Sequence, residues 1–156
     1  MTLTEDVALP ADPLALDQQV CFAVVVAARN IVGLYRPILE PMGLTHPQYL
    51  VMLALWQYGS LSVKELSGLL QLDPGTLSPL LKRLTAAGLV TRHRRVEDER
   101  SVAIALTDAG RVLRDKSVRI SEEMIGAIGF DAREFDDLKQ RLRLLTERVN
   151  TGQAVC

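Results

Sequence analysis

The chain has 156 residues, of which 48% are hydrophobic and 24% charged, and its formal net charge at pH 7 is -1. This length and composition predict one globular domain with a hydrophobic core. Because the net charge is close to zero, the chain is not a polycation, and it would have to bind nucleic acid through a local basic patch.

The first elements read as an arm followed by an unusually apolar helix. Residues 1–15 contain two prolines and little periodicity, so we expect a flexible arm. Asp17 is predicted to cap a helix over about 18–35 that is apolar on most faces. Such a helix needs more burial than one small domain supplies, which indicates contact with a second subunit. A second helix is predicted over about 46–58, with Thr45 as its cap.

Two short capped helices and a hairpin are predicted in the middle of the chain. A capping box of Ser62 and Glu65 begins the first helix, and Asp73 caps the second. Both helices carry leucines at helical spacing, and a hairpin with a charged tip follows. This order is typical of a winged helix-turn-helix. The predicted helices span 62–72 and 73–87, and the predicted strands span 89–95 and 101–106.

The second of these helices offers hydroxyl and basic side chains opposite its leucines. Small hydroxyls near a helix N-terminus allow close approach to base edges or phosphates, and the helix dipole adds positive potential there. Residues 82–100 hold six cations against three acids. On an isolated hairpin these charges would be solvated surface, but beside a helix-turn-helix they favour DNA binding. The candidate DNA-contacting residues are Thr76, Ser78, Lys82, Arg83, Arg94, Asp98 and Arg100.

Arg100 and Asp98 have distinct predicted roles at the tip of the hairpin. A narrow minor groove has an enhanced negative potential that attracts an inserted arginine, and Arg100 is the candidate for that position. Asp98 lies two residues earlier in an extended segment, where its carboxylate would orient the guanidinium. The alternative for Asp98 is an ordinary surface acid.

Two longer helices are predicted in the C-terminal part of the chain. One spans 107–129 with Thr107 as its cap, and the other spans about 131–149. Apolar residues in the last helix repeat every three or four positions, as in a coiled-coil seam. Two heptads are too short to stand alone, so the seam must pack on something. The seam consists of Phe135, Leu138, Leu142, Leu145 and Val149, and a flexible tail is expected over 151–156.

The cysteines and the N-terminus indicate where the protein works. Cys21 and Cys156 are too few and too far apart to predict a disulfide framework or a zinc site, and this pattern is typical of a reducing compartment. The N-terminus lacks the features of a signal peptide, and the apolar run 20–28 is too short to cross a bilayer. The sequence therefore predicts a cytoplasmic protein that does not bind a membrane and contains no metal or cofactor.

The segment LDPGTLSPLLKRLTAAGLVTRHRRVEDERSVAIALTDAG (72–110) resembles the MarR family of dimeric winged-helix regulators, through the wing motif DER and the following LT-x-x-G. The resemblance implies a mainly α fold with a two-stranded β wing. It also implies a homodimer that reads an inverted-repeat operator in double-stranded DNA, with Arg100 in the minor groove. The implied domain spans 16–150, with dimerisation helices over 16–45 and 107–150 and a DNA-binding lobe over 46–106.

The stretch VCFA…YRPIL…LTHPQYLVMLALW resembles the OhrR branch of that family, the organic-hydroperoxide-sensing repressors. The resemblance places the sensing cysteine at Cys21 and one of two partner-subunit tyrosines that hold its thiolate at Tyr35. His46 stands where the second tyrosine is expected. Tyr49 is either a core residue or a replacement partner. Residues 107–149 contain no second cysteine, which implies oxidation of Cys21 to a sulfenic acid, capping by a small thiol and release of DNA.

The residues around Cys21 leave two roles open. A free cysteine in an apolar run is often a small core residue, whereas a thiol in the first turn of a helix is favoured as a thiolate. The predicted function is therefore a repressor that senses organic hydroperoxides. The alternative is a MarR-type repressor relieved by a small aromatic or phenolic ligand, with Cys21 structural.

An enzyme is not predicted. A thiol peroxidase needs an activating arginine close to its cysteine and usually an α/β scaffold. Arg29 lies two helical turns from Cys21, and the chain does not alternate strands with helices. Cys156, on the predicted tail, is either inert or a partner for Cys21 of the other subunit.

Overall fold

A computed structural model describes residues 12–94 and 102–153 of the chain. The chain divides into two compact units, Met1–Tyr49 and Leu50–Cys156. Helices dominate both units, and a small antiparallel sheet lies in the second. The predicted mainly helical class with a β wing is therefore confirmed.

The N-terminal unit is built on one long helix, α1. It contains a 3-10 turn (Leu16–Gln18), α1 (Val20–Leu39), a second 3-10 turn (Glu40–Met42) and the start of α2 (His46–Tyr58). Gly43 has a φ of 68°, in the left-handed region that glycine adopts without strain. This residue ends the second 3-10 turn and lets the chain turn towards α2. Leu39, Leu44 and Tyr49 are buried.

Helix α1 differs from its prediction at both ends. Gln19, not Asp17, is the N-cap residue, and its side-chain amide donates to the carbonyls of Pro13 (2.6 Å) and Ala15 (3.2 Å). Asp17 lies in the preceding 3-10 turn and is therefore not at the cap position. At the other end the helix continues through Pro37 to Leu39, although a proline removes one backbone hydrogen bond and its ring crowds the carbonyl of residue i−4.

Most apolar side chains of α1 lie at the surface of the protomer. Leu39 is its one buried residue. The exposed apolar side chains are Val20, Phe22, Val24, Val25, Val32 and Leu34. Among the described residues, Val20–Met42 is one helical stretch that is long and apolar enough to cross a bilayer, a test that core helices of soluble proteins also pass. The helix is thus longer than the apolar run on which the membrane prediction rested.

The C-terminal unit contains the helix-turn-helix, the wing and the two long helices. Its elements are the rest of α2, β1 (Leu61–Ser62), α3 (Val63–Leu70), α4 (Pro74–Ala86), β2 (Val90–Arg94), β3 (Val102–Leu106), α5 (Asp108–Ile128) and α6 (Ala132–Gln153). The strands are antiparallel in the order β1-β3-β2. The wing was predicted with two strands, and β1 adds a third that is too short to show alternation. Helix α6 extends through Gln153, into part of the predicted tail.

The predicted caps of the helix-turn-helix are confirmed. The Ser62 hydroxyl accepts from the Glu65 backbone N–H (3.1 Å), and the Glu65 carboxylate accepts from the Ser62 backbone N–H (2.6 Å). Asp73 caps α4. The core of this unit includes fully buried side chains from α2, α3, α4 and the sheet, namely Leu55, Leu66, Leu77, Leu81, Leu84, Val90 and Ile104.

The start of α5 is tied to α2 and to the base of the wing. The Trp56 indole N–H donates to the Gly110 carbonyl (2.9 Å). Thr107 donates its hydroxyl to the Gly88 carbonyl (2.6 Å) and accepts from the Gly110 N–H (3.0 Å). A Cβ atom on Gly110 would lie 2.2 Å from the Leu89 carbonyl oxygen. Glycine is therefore required here by close backbone approach.

The substitution Gly110→Ala is expected to lower the free energy of unfolding by about 1–3 kcal/mol, because the added methyl group forces the backbone at Leu89, just before β2, away from α5. Urea denaturation at a fixed protein concentration measures this change. Gly126→Ala is the matched control on the same helix. No heavy atom lies within 4 Å of its added Cβ, so stability should be unchanged or rise by up to about 1 kcal/mol. Equal stability of the two variants would contradict the close approach.

Candidate nucleic-acid interface and thiol site

Helix α4 has a buried leucine face and an exposed polar face. Leu77, Leu81 and Leu84 are buried. The four predicted DNA-contacting residues of this helix are all exposed: Thr76, Ser78, Lys82 and Arg83. The helix thus presents hydroxyl groups near its N-terminus and cations further along.

The cap of α4 fixes the chemistry of Thr76. The Asp73 carboxylate accepts from the Thr76 backbone N–H (2.9 Å) and from its hydroxyl (2.6 Å). The side-chain and backbone hydrogen bonds from Thr76 lower the pKa of Asp73, so the cap is ionised at neutral pH. Since the hydroxyl proton of Thr76 is engaged, its oxygen is left as a hydrogen-bond acceptor.

The wing carries a second exposed cation that was not among the candidate residues. Arg92 and Arg94 are both exposed on β2, opposite Ile104 and Val102 of β3. Residues two apart on a strand share a face, so Arg92 belongs with Arg94. That spacing was the signal in the sequence. Asp98 and Arg100, the predicted tip residues, lie outside the described residues.

Cys21 is the second residue of α1 and is exposed in the protomer. It is therefore not a core side chain of its own chain. No side chain caps the N-terminus of α1. No capping side chain therefore accepts a hydrogen bond from the backbone N–H groups of the first turn, where Cys21 lies.

Three of the predicted sensing residues form one aromatic cluster. The Tyr35 ring centroid lies 4.7 Å from that of His46 and 5.9 Å from that of Tyr49. Tyr49 is buried, while Tyr35 and His46 are half-buried. Burial raises the pKa of Tyr35 and, together with the neighbouring Tyr35, that of Tyr49. Burial lowers the pKa of His46. The cluster therefore offers neutral phenol and imidazole groups near pH 7.

Cys21 and Tyr35 lie on the same helix but far apart. They are separated by 14 positions of α1, which is about 21 Å at the α-helical rise per residue. A hydrogen bond spans about 3 Å between heavy atoms. The thiol therefore cannot meet Tyr35 of its own protomer.

A cavity of about 730 Å³ lies beside this cluster in the N-terminal unit. Its charged lining residues are Arg29, Arg36 and Glu40, and His46 also faces it. The remaining lining residues are Val32, Gly33, Gly43, Leu44, Thr45 and Pro47. Sequence reasoning missed this cavity, although two arginines seven positions apart in an apolar helix were a signal. Residues 12–94 and 102–153 contain no group of three His, Cys, Asp or Glu side chains placed to hold a metal ion.

Comparisons with known proteins identify the family of the chain. A family model of the transcriptional regulators SarA/Rot matches residues 33–117. The organic hydroperoxide resistance transcriptional regulator of Bacillus subtilis (strain 168) is 40% identical over 139 residues, which are 89% of this chain and 95% of that protein. The chain belongs to the MarR-like winged-helix family of transcriptional regulators.

Other members of the MarR-like family support the assignment. The HTH-type transcriptional regulator TtmR of Methylorubrum extorquens (strain PA1) is 45% identical over 139 residues, 89% of this chain and 71% of that protein. Reduced AbfR bound to DNA matches with a TM-score of 0.72 and 30% identity, over 87% of this chain and 93% of that chain. AbfR is a protein of Staphylococcus epidermidis, also solved in overoxidised and disulfide forms. The protein is thus a DNA-binding transcriptional regulator of the MarR type.

The lowered pKa of His46 makes stability depend on pH in a defined direction. The folded state disfavours the protonated imidazole, so the unfolded state binds more protons as the pH falls below about 6.5. Stability should therefore fall between about pH 7.5 and pH 5.5, and His46→Gln should make that fall smaller. Urea midpoints at the two pH values measure it.

The other histidine provides the matched control for this pH effect. His93 is exposed on β2, so His93→Gln should leave the difference between the two urea midpoints as in the unsubstituted protein. An identical pH dependence in the His46 variant would show that this imidazole is not buried in solution.

Proposed function

We propose that the protein is a cytoplasmic, homodimeric repressor that releases its operator when an organic hydroperoxide oxidises Cys21. The observation that carries this proposal is the separation along α1. An exposed thiol stands at one end of the helix, and the Tyr35–His46–Tyr49 cluster stands about 21 Å away. The two halves of the site meet only if α1 of one protomer reaches the cluster of the other.

A second copy of the chain would also cover the apolar surface that one protomer leaves exposed. The apolar side chains of α1 and the α6 residues Leu142, Leu145 and Val149 are exposed. Burial of apolar area drives most protein association. We assign dimerisation to the helices within 16–45 and 107–150, and DNA binding to the lobe 46–106.

The proposed DNA contacts follow the two exposed surfaces. Helix α4 enters the major groove, where Thr76 and Ser78 approach base edges and Lys82 and Arg83 reach phosphates. Strand β2 brings Arg94 to the backbone. Asp98 and Arg100, at the tip of the wing, are assigned to the minor groove from the sequence alone. Two such lobes in a dimer read an inverted repeat.

The proposed chemistry begins with the Cys21 thiolate. Its sulfur attacks the terminal oxygen of the hydroperoxide, the O–O bond breaks, and the alcohol leaves after taking up a proton. The sulfur is oxidised by two electrons to a sulfenic acid. The Tyr35 hydroxyl and the neutral His46 imidazole of the partner each donate a hydrogen bond to the thiolate, while the buried Tyr49 supports the Tyr35 ring. A small thiol then caps the sulfenic acid, and the added bulk shifts the helices.

The cavity supports a second candidate function. Its two arginines suit an aromatic or phenolic anion, and its volume is in the range of small-molecule sites. In that case the protein is a MarR-type repressor relieved by ligand binding, and Cys21 has no part in the signal.

Cys21→Ser separates the two candidate functions. Its affinity for a fragment of its own promoter should resist cumene hydroperoxide, whereas the unsubstituted protein should lose affinity by about 5- to 150-fold, the usual range of such coupling. Fluorescence anisotropy measures this binding. Cys156→Ser is the matched control and should respond like the unsubstituted protein. Equal release from the Cys21 variant would refute thiol sensing, and release by salicylate alone would establish the second function.

Mixed dimers test whether the site is shared between protomers. A dimer of one Cys21→Ser chain and one Tyr35→Phe chain retains one complete site if the residues come from different protomers. It retains none if they come from the same protomer. The remaining thiol should therefore react with cumene hydroperoxide at the rate seen in the unsubstituted protein, measured by mass spectrometry. A rate equal to that of the Tyr35→Phe homodimer would contradict the shared site.

A further inference from the structure

The cavity is lined by charged side chains that take no part in the proposed oxidation of Cys21. Arg29 and Arg36 are seven positions apart on α1, so they share one helix face about 10 Å apart. Glu40 follows Arg36 by one further turn. With His46 neutral, the lining carries two positive charges and one negative charge.

The two arginines are available to an anion. In the described part of the chain, the ion pairs are Arg111–Asp108 and Lys139–Asp136, neither of which lies in the cavity. A guanidinium binds a carboxylate through two parallel hydrogen bonds. The cavity is therefore suited to a molecule with two carboxylates about 10 Å apart and one ammonium group for Glu40.

We propose that this cavity binds the small thiol that caps oxidised Cys21, and that it selects a peptide-like thiol with two carboxylates and an ammonium group. An extended tripeptide spans about 10 Å, which matches the separation of Arg29 and Arg36 along α1. The inference rests on the proposed function, in which the partner's thiol meets Tyr35. His46 lines the cavity and contacts Tyr35, so the bound thiol would lie beside the sulfenic acid.

The capping step balances without any further reagent. The sulfur of the bound thiol attacks the sulfur of the Cys21 sulfenic acid, and an S–S bond forms as the S–O bond breaks. The hydroxide leaves and takes up the thiol proton, so water is the second product. The Cys21 sulfur is reduced and the sulfur of the small thiol is oxidised.

Gly33 keeps the cavity open between the two arginines. It lines the cavity, and no heavy atom lies within 4 Å of a Cβ placed on it. The Cβ atom of a side chain at this position would therefore lie in free space. Leucine is also a good helix former, so Gly33→Leu is the steric block.

The test measures the capping rate after oxidation. The dimer is oxidised with one equivalent of cumene hydroperoxide and mixed with glutathione or with glutathione diethyl ester, which lacks both carboxylate charges. Mass spectrometry follows the mixed disulfide on Cys21. Glutathione should react about tenfold faster than the ester, the lower end of rate gains from electrostatic steering. The advantage should shrink at high salt.

Three variants place the effect in the cavity. Arg29→Gln and Arg36→Gln should each reduce the ratio of the two rates, and Gly33→Leu should slow capping by glutathione. Arg114→Gln removes an exposed arginine of α5 and should leave the ratio unchanged.

The outcomes separate the inference from the function on which it rests. If Cys21 is not oxidised by the hydroperoxide at all, the proposed function is wrong. If it is oxidised but both thiols cap it at the same rate, this inference alone is wrong. A ratio that persists in both arginine variants also refutes the cavity as the binding site.

Discussion

The fixed rise of α1 is the constraint on which the proposed mechanism depends. An α-helix does not shorten, so a thiol at its second residue and a phenol fourteen positions later are held apart in every protomer. A signal that needs both groups must be read by two chains. The same helix exposes the apolar surface that a second chain would cover. In the proposed mechanism, α1 therefore serves both in sensing the hydroperoxide and in forming the dimer.

Helix α2 carries residues of two different functional regions. Tyr49 lies near its N-terminal end and takes part in the aromatic cluster, whereas Trp56 lies two turns later and bonds to the first turn of α5.

Local chemistry made much of the fold predictable. The caps at Ser62 and Asp73 and most of the leucine stripe of α4 follow from rules that act within a few residues. The predicted N-cap of α1 was wrong because Asp17 lies in a 3-10 turn that precedes the helix. Strand β1 was missed because two residues show no alternation. The exposure of Cys21 was not predictable, since an apolar run has the same sequence pattern whether it packs in the core of its own chain or against a second subunit.

The candidate site was predictable only in part. The resemblance of YRP and THPQY to one branch of the family placed Tyr35 and His46 together, and the structure joins them in one cluster with Tyr49. The cavity was missed because its lining combines α1 with the turn that follows, and only the reversal at Gly43 brings them to the same space.

The acidic cap of α4 has a consequence for how DNA is approached. An ionised carboxylate at Asp73 repels phosphate, so it opposes contact between the start of this helix and the DNA backbone, although the helix dipole alone would favour that contact. Thr76, whose proton is held by Asp73, can only receive a hydrogen bond. In the major groove the donors are the amino groups of adenine and cytosine. In the proposed complex, the residue that caps the helix therefore also restricts which bases Thr76 can read.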